Sequence, residues 1–177
     1  DLAQVMGCQQ LLLSGGEPTI YRKLSAVTSY LKEKHLAFGL ITNARMLSNV
    51  EFLEKLQHDG LVYVYVSFLS ADPRIQELLT GTNSFEQVSA GIRNCVKYNL
   101  DVKVNITLTR QNVSSLMPTV KLLQRLGVKC VKISFVELKK SSSSSSLKYY
   151  YVISKQKLMN QSNNREIKNF IVMPGVK

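Results

Sequence analysis

A short turn, Ser14-Gly15-Gly16-Glu17-Pro18, follows an apolar run and combines residue types that can bind a small ligand. The glycines let a ligand approach main-chain atoms without meeting a Cβ, and Pro18 fixes its own φ and keeps Glu17 extended. Carbonyl oxygens together with a carboxylate suit an ammonium group, whereas the acid would repel phosphate. Gly and Pro are also common in generic turns, so the alternative is a plain turn with a solvated Glu17.

Short apolar runs and helical periodicity alternate along the chain and predict the elements that position this turn. Runs rich in β-branched residues predict strands at residues 11–13, 36–42, 61–69, 102–109 and 131–136. Helices are predicted between them, at residues 21–34, 48–58, 72–79, 84–98 and 115–126. The alternation predicts an α/β fold of right-handed βαβ units with a parallel sheet. A doubly wound sheet and part of a (β/α) barrel both remain open, and in both folds ligands bind at the carboxyl ends of the strands.

Composition excludes several classes of protein. The 177 residues suit a single domain, and no apolar run approaches the roughly 20 residues that span a bilayer. No cationic segment followed by an apolar one stands at the start, so no signal peptide is predicted. Three widely spaced cysteines fit a reducing compartment better than a disulfide framework, which predicts a cytoplasmic protein.

The positive charge is concentrated at the end of the chain. The formal net charge is +11, and residues 139–177 carry 8 of the 23 basic residues but 1 of the 12 acidic ones. Six consecutive serines, Ser141 to Ser146, predict a flexible segment. We therefore predict a core at 1–138, a Ser-rich loop or linker at 139–148, and a basic tail at 149–177. The tail would be either the last barrel element or the start of a C-terminal extension.

Several motifs in sequence order resemble those of the radical S-adenosylmethionine (radical SAM) enzymes. They are LLLSGGEPTIY, FGLITNARML, VYVSFLSADPRIQELLTG, SFEQVSAGIRN and VKVNITLTRQN. The resemblance runs from about Leu2 to Glu137 and is greatest to the peptide-maturase and molybdenum-cofactor-biosynthesis branch. It implies a partial (β/α) barrel of radical SAM type with parallel strands. Ala44 stands where glycine is usual in this family.

The resemblance implies a binding site for S-adenosylmethionine. In the family, the GGEP turn holds the amino group of the methionyl moiety, here through Gly16 and Glu17, with Gly15 and Pro18 shaping the turn. Thr42 and Asn43, at the end of the next strand, would point into the barrel mouth, although simple turn chemistry also explains them.

The next two strands add further candidates. Ser67 matches a family serine that contacts the ribose or the methionyl carboxylate, and Asn105 is a weaker match. The alternative for Ser67 is a small strand residue satisfied by backbone. Lys103 shares a strand face with Asn105, and could meet an anionic substrate from the barrel interior or reach water from the outer face. Arg110 would lie near the cofactor carboxylate or close a surface turn.

The family's [4Fe-4S] cluster needs a CxxxCxxC loop that these residues do not contain. Cys8, Cys95 and Cys130 are too far apart in sequence to replace it, so no metal ligand is assigned in this chain. The simplest interpretation is that the first strand and the cluster loop are missing, and a decayed gene or pseudoenzyme is the main rival. These residues alone are predicted to be inactive in radical chemistry.

The predicted function is that of a radical SAM core, which with the missing cluster segment would generate a 5′-deoxyadenosyl radical for hydrogen abstraction. Its partners would be the cofactor, a peptide or small-metabolite substrate, and a reducing partner; no catalytic residue is assigned. The alternative is an inactive pseudoenzyme or a binding module acting through the basic tail, although the absence of an RNA-binding signature makes nucleic acid an unlikely ligand. A third reading is acid-base catalysis with Glu17 or Glu137, but His35 and His58 form no obvious catalytic constellation.

Overall fold

The computed structural model describes residues 7–135 and the strand Ile171–Val172, and the structural statements below refer to these residues. The strands are β1 (Gln10–Leu13), β2 (Ala37–Thr42), β3 (Leu61–Ser67), β4 (Asp101–Leu108), β5 (Cys130–Phe135) and β6 (Ile171–Val172). The α-helices are α1 (Leu24–Glu33), α2 (Val50–His58), α3 (Pro73–Thr80), α4 (Phe85–Lys97) and α5 (Leu116–Arg125). Short 3-10 helices follow β1 at Pro18–Ile20 and β2 at Met46–Ser48.

The strands form one parallel sheet in the order β1-β2-β3-β4-β5-β6. Each strand pairs with the next one along the chain, so the order never reverses. A doubly wound sheet contains a point of reversal, whereas a (β/α) barrel does not. The described chain is therefore α/β and forms part of a (β/α) barrel, which resolves the choice that periodicity left open.

The five predicted strands and five predicted helices are all present, with local differences at their ends. The helix predicted from residue 21 begins at Leu24, because Pro18 instead starts a 3-10 turn that leads into it. Asn49 caps α2 by accepting a hydrogen bond from the Phe52 N–H at 2.8 Å, and Asp72 does the same for the first turn of α3. Strand β6 was not predicted, since two apolar residues give no periodic signal. The serine tract and the predicted basic tail, apart from β6, lie outside the described residues.

The two faces of the sheet differ in polarity. Alternate apolar residues, such as Phe38, Val64 and Val104, are fully buried and share one core with apolar residues of the helices. No helix of the described residues is both long and apolar enough to cross a membrane. The opposite face, which we call the open face, carries Leu12, Ile41, Tyr63, Tyr65, Ser67, Lys103, Asn105, Thr107 and Ser134. Lys103 and Asn105 thus share the open face.

Candidate functional site

The turn from Ser14 to Pro18 leaves the carboxyl end of β1. Glu17 is extended, with φ −141° and ψ 108°, as the following proline requires, and it precedes the 3-10 helix Pro18–Ile20. Because all strands are parallel, the ends of β2, β3 and β4 lie at the same edge of the sheet. The sequence-predicted turn is therefore at the edge where ligands bind in this class of fold.

The Glu17 carboxylate joins the ends of β1 and β2 through four hydrogen bonds. Its Oε1 accepts from the Thr19 N–H at 3.1 Å, from the Thr19 hydroxyl at 2.6 Å and from the Thr42 hydroxyl at 2.7 Å. Its Oε2 accepts from the Asn43 N–H at 2.7 Å. Hydrogen bonds to an ionised acceptor are roughly twice as strong as neutral ones. Glu17 is therefore held in one orientation.

The segment from Thr42 to Ala44 is a tight turn held by its own side chains. The Ala44 N–H donates to the Thr42 hydroxyl at 3.0 Å, and the Arg45 N–H donates to the Asn43 side-chain oxygen at 3.0 Å. Ala44 has a left-handed φ of 60°, where glycine would be unstrained. Gly91 of α4 packs directly against the Ala44 backbone, and a Cβ added to Gly91 would overlap the Ala44 carbonyl oxygen. The turn keeps this conformation despite the alanine because tertiary contacts surround it.

Thr42 does not occupy the position predicted for it. The sequence interpretation has Thr42 and Asn43 pointing into the barrel mouth, but Thr42 is only 3% exposed and its hydroxyl is directed at Glu17. The reason is that side chains alternate along β2, which places Thr42 on the same face as the buried residues Phe38 and Leu40. Asn43, one residue further, is partly exposed.

Open space surrounds the glycines of the turn. A Cβ added to Gly15 or Gly16 would meet no atom within 4 Å. A cavity of about 410 Å³ is lined by Leu12, Leu13, Ser14, Gly15, Gly16, Glu17, Pro18, Tyr21, Leu24 and Val27. A second cavity, of about 460 Å³, is lined by Glu17, Thr19, Ile20, Asn43, Arg45, Met46, Ser48, Asn49 and Gln87. Glu17 thus lies between two spaces large enough for part of a ligand.

The remaining acceptor capacity of Glu17 fits an ammonium group. A carboxylate oxygen offers about two lone-pair directions, and Oε2 accepts one described hydrogen bond, from Asn43. The described residues supply no second donor to Oε2, and Glu17 lines the same cavity as Gly15 and Gly16. Carboxylate and carbonyl oxygens around open space are complementary to a cationic amino group.

A second polar group lies on the open face at the ends of β3, β4 and β5. Ser67 is exposed and is the register partner of Asn105. The Asn105 side-chain oxygen accepts from the Ser134 hydroxyl at 2.7 Å, and its amide donates to the Thr107 hydroxyl at 3.3 Å. β1 and β3 are two strand spacings apart, about 10 Å. A single ligand would have to span this distance to contact both Glu17 and Ser67.

Asn112 ties together the loops that follow β3 and β4. Its side chain is 1% exposed. The side-chain oxygen accepts from the Thr109 N–H at 2.7 Å and from the Thr109 hydroxyl at 3.2 Å. The side-chain amide donates to the carbonyls of Leu69 at 2.9 Å and Thr107 at 3.0 Å. The ends of β3 and β4 are thereby joined by a side chain, as Glu17 joins those of β1 and β2.

Lys103 lies on β4 and Arg110 in the turn after it, whereas Glu17 follows β1. Lys103 Nζ is 3.0 Å from an Asp101 carboxylate oxygen and lies 5.4 Å and 6.0 Å from the ring centroids of Tyr65 and Tyr63. The hydrogen bond to Asp101 raises the pKa of Lys103 above its ordinary value, so the amine is charged near neutral pH. Its charge is directed toward the amino end of β4 rather than toward the edge that carries Glu17. Arg110 is exposed in the turn after β4.

The three cysteines lie at the end of the sheet opposite Glu17. Cys8 precedes β1, Cys130 is the first residue of β5, and Cys95 is in the last turn of α4. Cys8 is exposed, whereas Cys95 is buried, and burial raises the pKa of the Cys95 thiol to about 12. Within the described part of the chain, no three His, Cys, Asp or Glu side chains come together as metal ligands. That these cysteines form no cluster site stays a prediction.

Sequence reasoning missed three polar residues of this edge: Thr19, Asn112 and Ser134. Thr19 stands two residues after Glu17, a spacing that allows a local bond to the carboxylate, so a signal existed. Asn112 bonds to Leu69 in the loop after β3, and Ser134 of β5 bonds to Asn105 of β4, so both partners are distant in sequence. No local pattern marks such contacts.

The fold and this edge define a partial (β/α) barrel with a glycine-rich, carboxylate-bearing turn suited to a cationic amino group. The sequence profile of the Radical SAM superfamily matches residues 1–123, and the chain belongs to that superfamily.

Known proteins similar to this chain include two kinds of curated relative and a solved structure. A probable GTP 3′,8-cyclase of Sulfurisphaera tokodaii is 34% identical over 112 residues, which are 62% of this chain and 35% of the relative. The Fe-coproporphyrin III synthase of Methanosarcina barkeri is 30% identical over 138 residues, 78% of this chain and 34% of the relative. Streptococcus suis SuiB, solved bound to S-adenosylmethionine, has a TM-score of 0.71 at 15% identity over 98% of this chain and 41% of its own. The chain thus spans about a third of the length of the curated relatives.

Proposed function

We propose that this chain is the S-adenosylmethionine-binding core of a radical SAM enzyme. The observation that carries the proposal is the turn at the end of β1, where glycines with open space around them line a cavity together with the Glu17 carboxylate. Membership of the superfamily and the fold shared with SuiB, which was solved with S-adenosylmethionine bound, support it.

Two groups of residues would hold the cofactor. The carbonyls around Gly15 and Gly16, together with Glu17 Oε2, would accept hydrogen bonds from the methionyl amino group. Ser67, about 10 Å along the edge, and Asn105, about 14 Å along it, would contact its ribose or carboxylate. Pro18 and Asn43 shape the first group by fixing Glu17. A cofactor that is cationic at one end and rich in hydroxyls at the other suits this division.

The radical chemistry requires a [4Fe-4S] cluster in addition to this core. When bound, a reduced cluster supplies the electron that splits S-adenosylmethionine into methionine and a 5′-deoxyadenosyl radical, which abstracts hydrogen from substrate. Cys8, Cys95 and Cys130 lie at the wrong end of the sheet to hold it. We therefore propose that the cluster ligands are supplied by residues other than these three, and that a reducing partner delivers the electron.

The substrate would be a peptide or a small metabolite that reaches the cofactor along the open face. SuiB has also been solved bound to its precursor peptide SuiA, whereas the cyclases and the porphyrin synthase are named for small molecules. Lys103 remains a candidate for an acidic group of the substrate only if such a group displaces Asp101. Arg110 would act at the exposed rim of the same face.

Gly16→Ala tests the proposal sharply, because the added methyl group meets no protein atom but enters the space proposed for the ligand. We expect isothermal titration to show that the 177-residue chain binds S-adenosylmethionine. Loss of a hydrogen bond to a charged group, about 1.5–3 kcal/mol, corresponds to an affinity loss of roughly 10- to 150-fold. The thermal midpoint should stay within about 2 °C, since the methyl group strains nothing.

The control variant is Leu78→Ala on α3, whose side chain is 70% exposed and distant from the turn. It should bind the cofactor as the wild-type chain does. A wild-type chain that binds no S-adenosylmethionine, or a Gly16→Ala variant with unchanged affinity, would overturn the proposed function or its placement, respectively.

A further inference from the structure

We infer that Thr42 is a positioning residue, which sets the Glu17 carboxylate so that it recognises the amino group of the cofactor. The inference rests on the proposed function and deepens it. It assigns Thr42 an indirect role in place of the direct contact that the family resemblance implies.

The Thr42 hydroxyl is a relay between the β2 turn and the β1 turn. It accepts from the Ala44 N–H at 3.0 Å and donates to Glu17 Oε1 at 2.7 Å. A hydroxyl has one proton to donate, so this pattern commits it to Glu17. Burial of Thr42 to 3% exposure removes competition from water.

The relay determines which part of the carboxylate is available to a ligand. Three donors saturate Oε1, of which Thr19 supplies two from within the same turn and Thr42 supplies the third from β2. The Asn43 N–H takes one direction of Oε2 and leaves the other. Without the Thr42 hydroxyl, the two Thr19 donors still occupy Oε1, but the carboxylate loses the bond from β2 that fixes its rotation.

Loss of this bond should therefore weaken recognition of the amino group while leaving the rest of the cofactor site intact. 5′-Methylthioadenosine carries the adenosine part of the cofactor and lacks its amino-acid end. Its affinity should not depend on Thr42. A residue that merely stabilised the fold would affect both ligands alike.

The experiment measures the affinity of both ligands for the wild-type chain, Thr42→Val and Thr42→Ser by isothermal titration, with thermal midpoints recorded. Thr42→Val keeps the side-chain shape and removes the hydroxyl, and we expect about a tenfold loss of affinity for S-adenosylmethionine, with 5′-methylthioadenosine unchanged within about twofold. Thr42→Ser keeps the hydroxyl and should restore the ratio of the two affinities.

Three results would overturn the inference. In the first, Thr42→Val weakens both ligands equally or neither. In the second, Thr42→Ser is folded and yet has lost the preference for S-adenosylmethionine, an outcome that remains decisive if Thr42→Val does not fold. In the third, the wild-type chain binds no S-adenosylmethionine; the proposed function then fails and this inference falls with it.

Discussion

Replacement of Asn112 by alanine should destabilise the chain more than any ordinary polar substitution at its surface. The side chain is 1% exposed and bonds to three main-chain groups, the Thr109 N–H and the carbonyls of Leu69 and Thr107. Each lost bond costs about 1 kcal/mol, and more where the partner stays buried without a substitute. The expected loss is about 3 kcal/mol, rising toward about 5 kcal/mol if no water enters the space.

Urea denaturation followed by circular dichroism gives the unfolding free energy, and calorimetry gives the thermal midpoint. A loss of about 3 kcal/mol corresponds to a decrease of roughly 6–12 °C for a chain of this size. Asn83→Ala is the matched control, since Asn83 is exposed and should change stability by no more than about 0.5 kcal/mol. A loss below about 1 kcal/mol for Asn112→Ala, with an unchanged denaturant slope, would refute the argument that this side chain joins β3 to β4.

Three further predictions concern Gly91 and Cys95 of α4. Gly91→Ala places a methyl group on the Ala44 carbonyl oxygen, so α4 must shift, and calorimetry should show a loss of about 1–3 kcal/mol; an unchanged midpoint would contradict the close contact. Burial raises the pKa of Cys95 from 9.0 to about 12. Between these pH values the folded chain therefore binds more protons than the unfolded chain. The resulting contribution to stability is complete below pH 9 and is lost as pH rises toward 12. Urea titrations of Cys95→Ala should show a smaller loss of stability at alkaline pH. A thiol reagent at pH 8 should modify the exposed Cys8, while Cys95 reacts only on unfolding. Equal labelling rates of the two cysteines in the native chain would contradict the burial of Cys95.

Much of the site could be predicted from sequence because its residues are adjacent in the chain. The GGEP turn combines two glycines, an acid and a proline in four consecutive positions, and the extended Glu17 follows from Pro18 alone. Ser67 and Asn105 were assigned by resemblance, and the structure makes them register partners. What they bind stays a prediction, tested by the titrations described above.

The sequence by itself determined the alternation of strands and helices, the parallel sheet and the family, since these depend on periodicity and on contiguous motifs. Only the tertiary structure decided that the strand order never reverses, that Thr42 faces Glu17 rather than the barrel mouth, and that Lys103 pairs with Asp101. The physical reason is that these outcomes are set by tertiary contacts. Strand order depends on which strands pair, and a one-residue shift in the pairing of β2 would turn Thr42 to the other face. Lys103 and Asp101 share a face of β4 in any register, but only the folded side chains show that they pair.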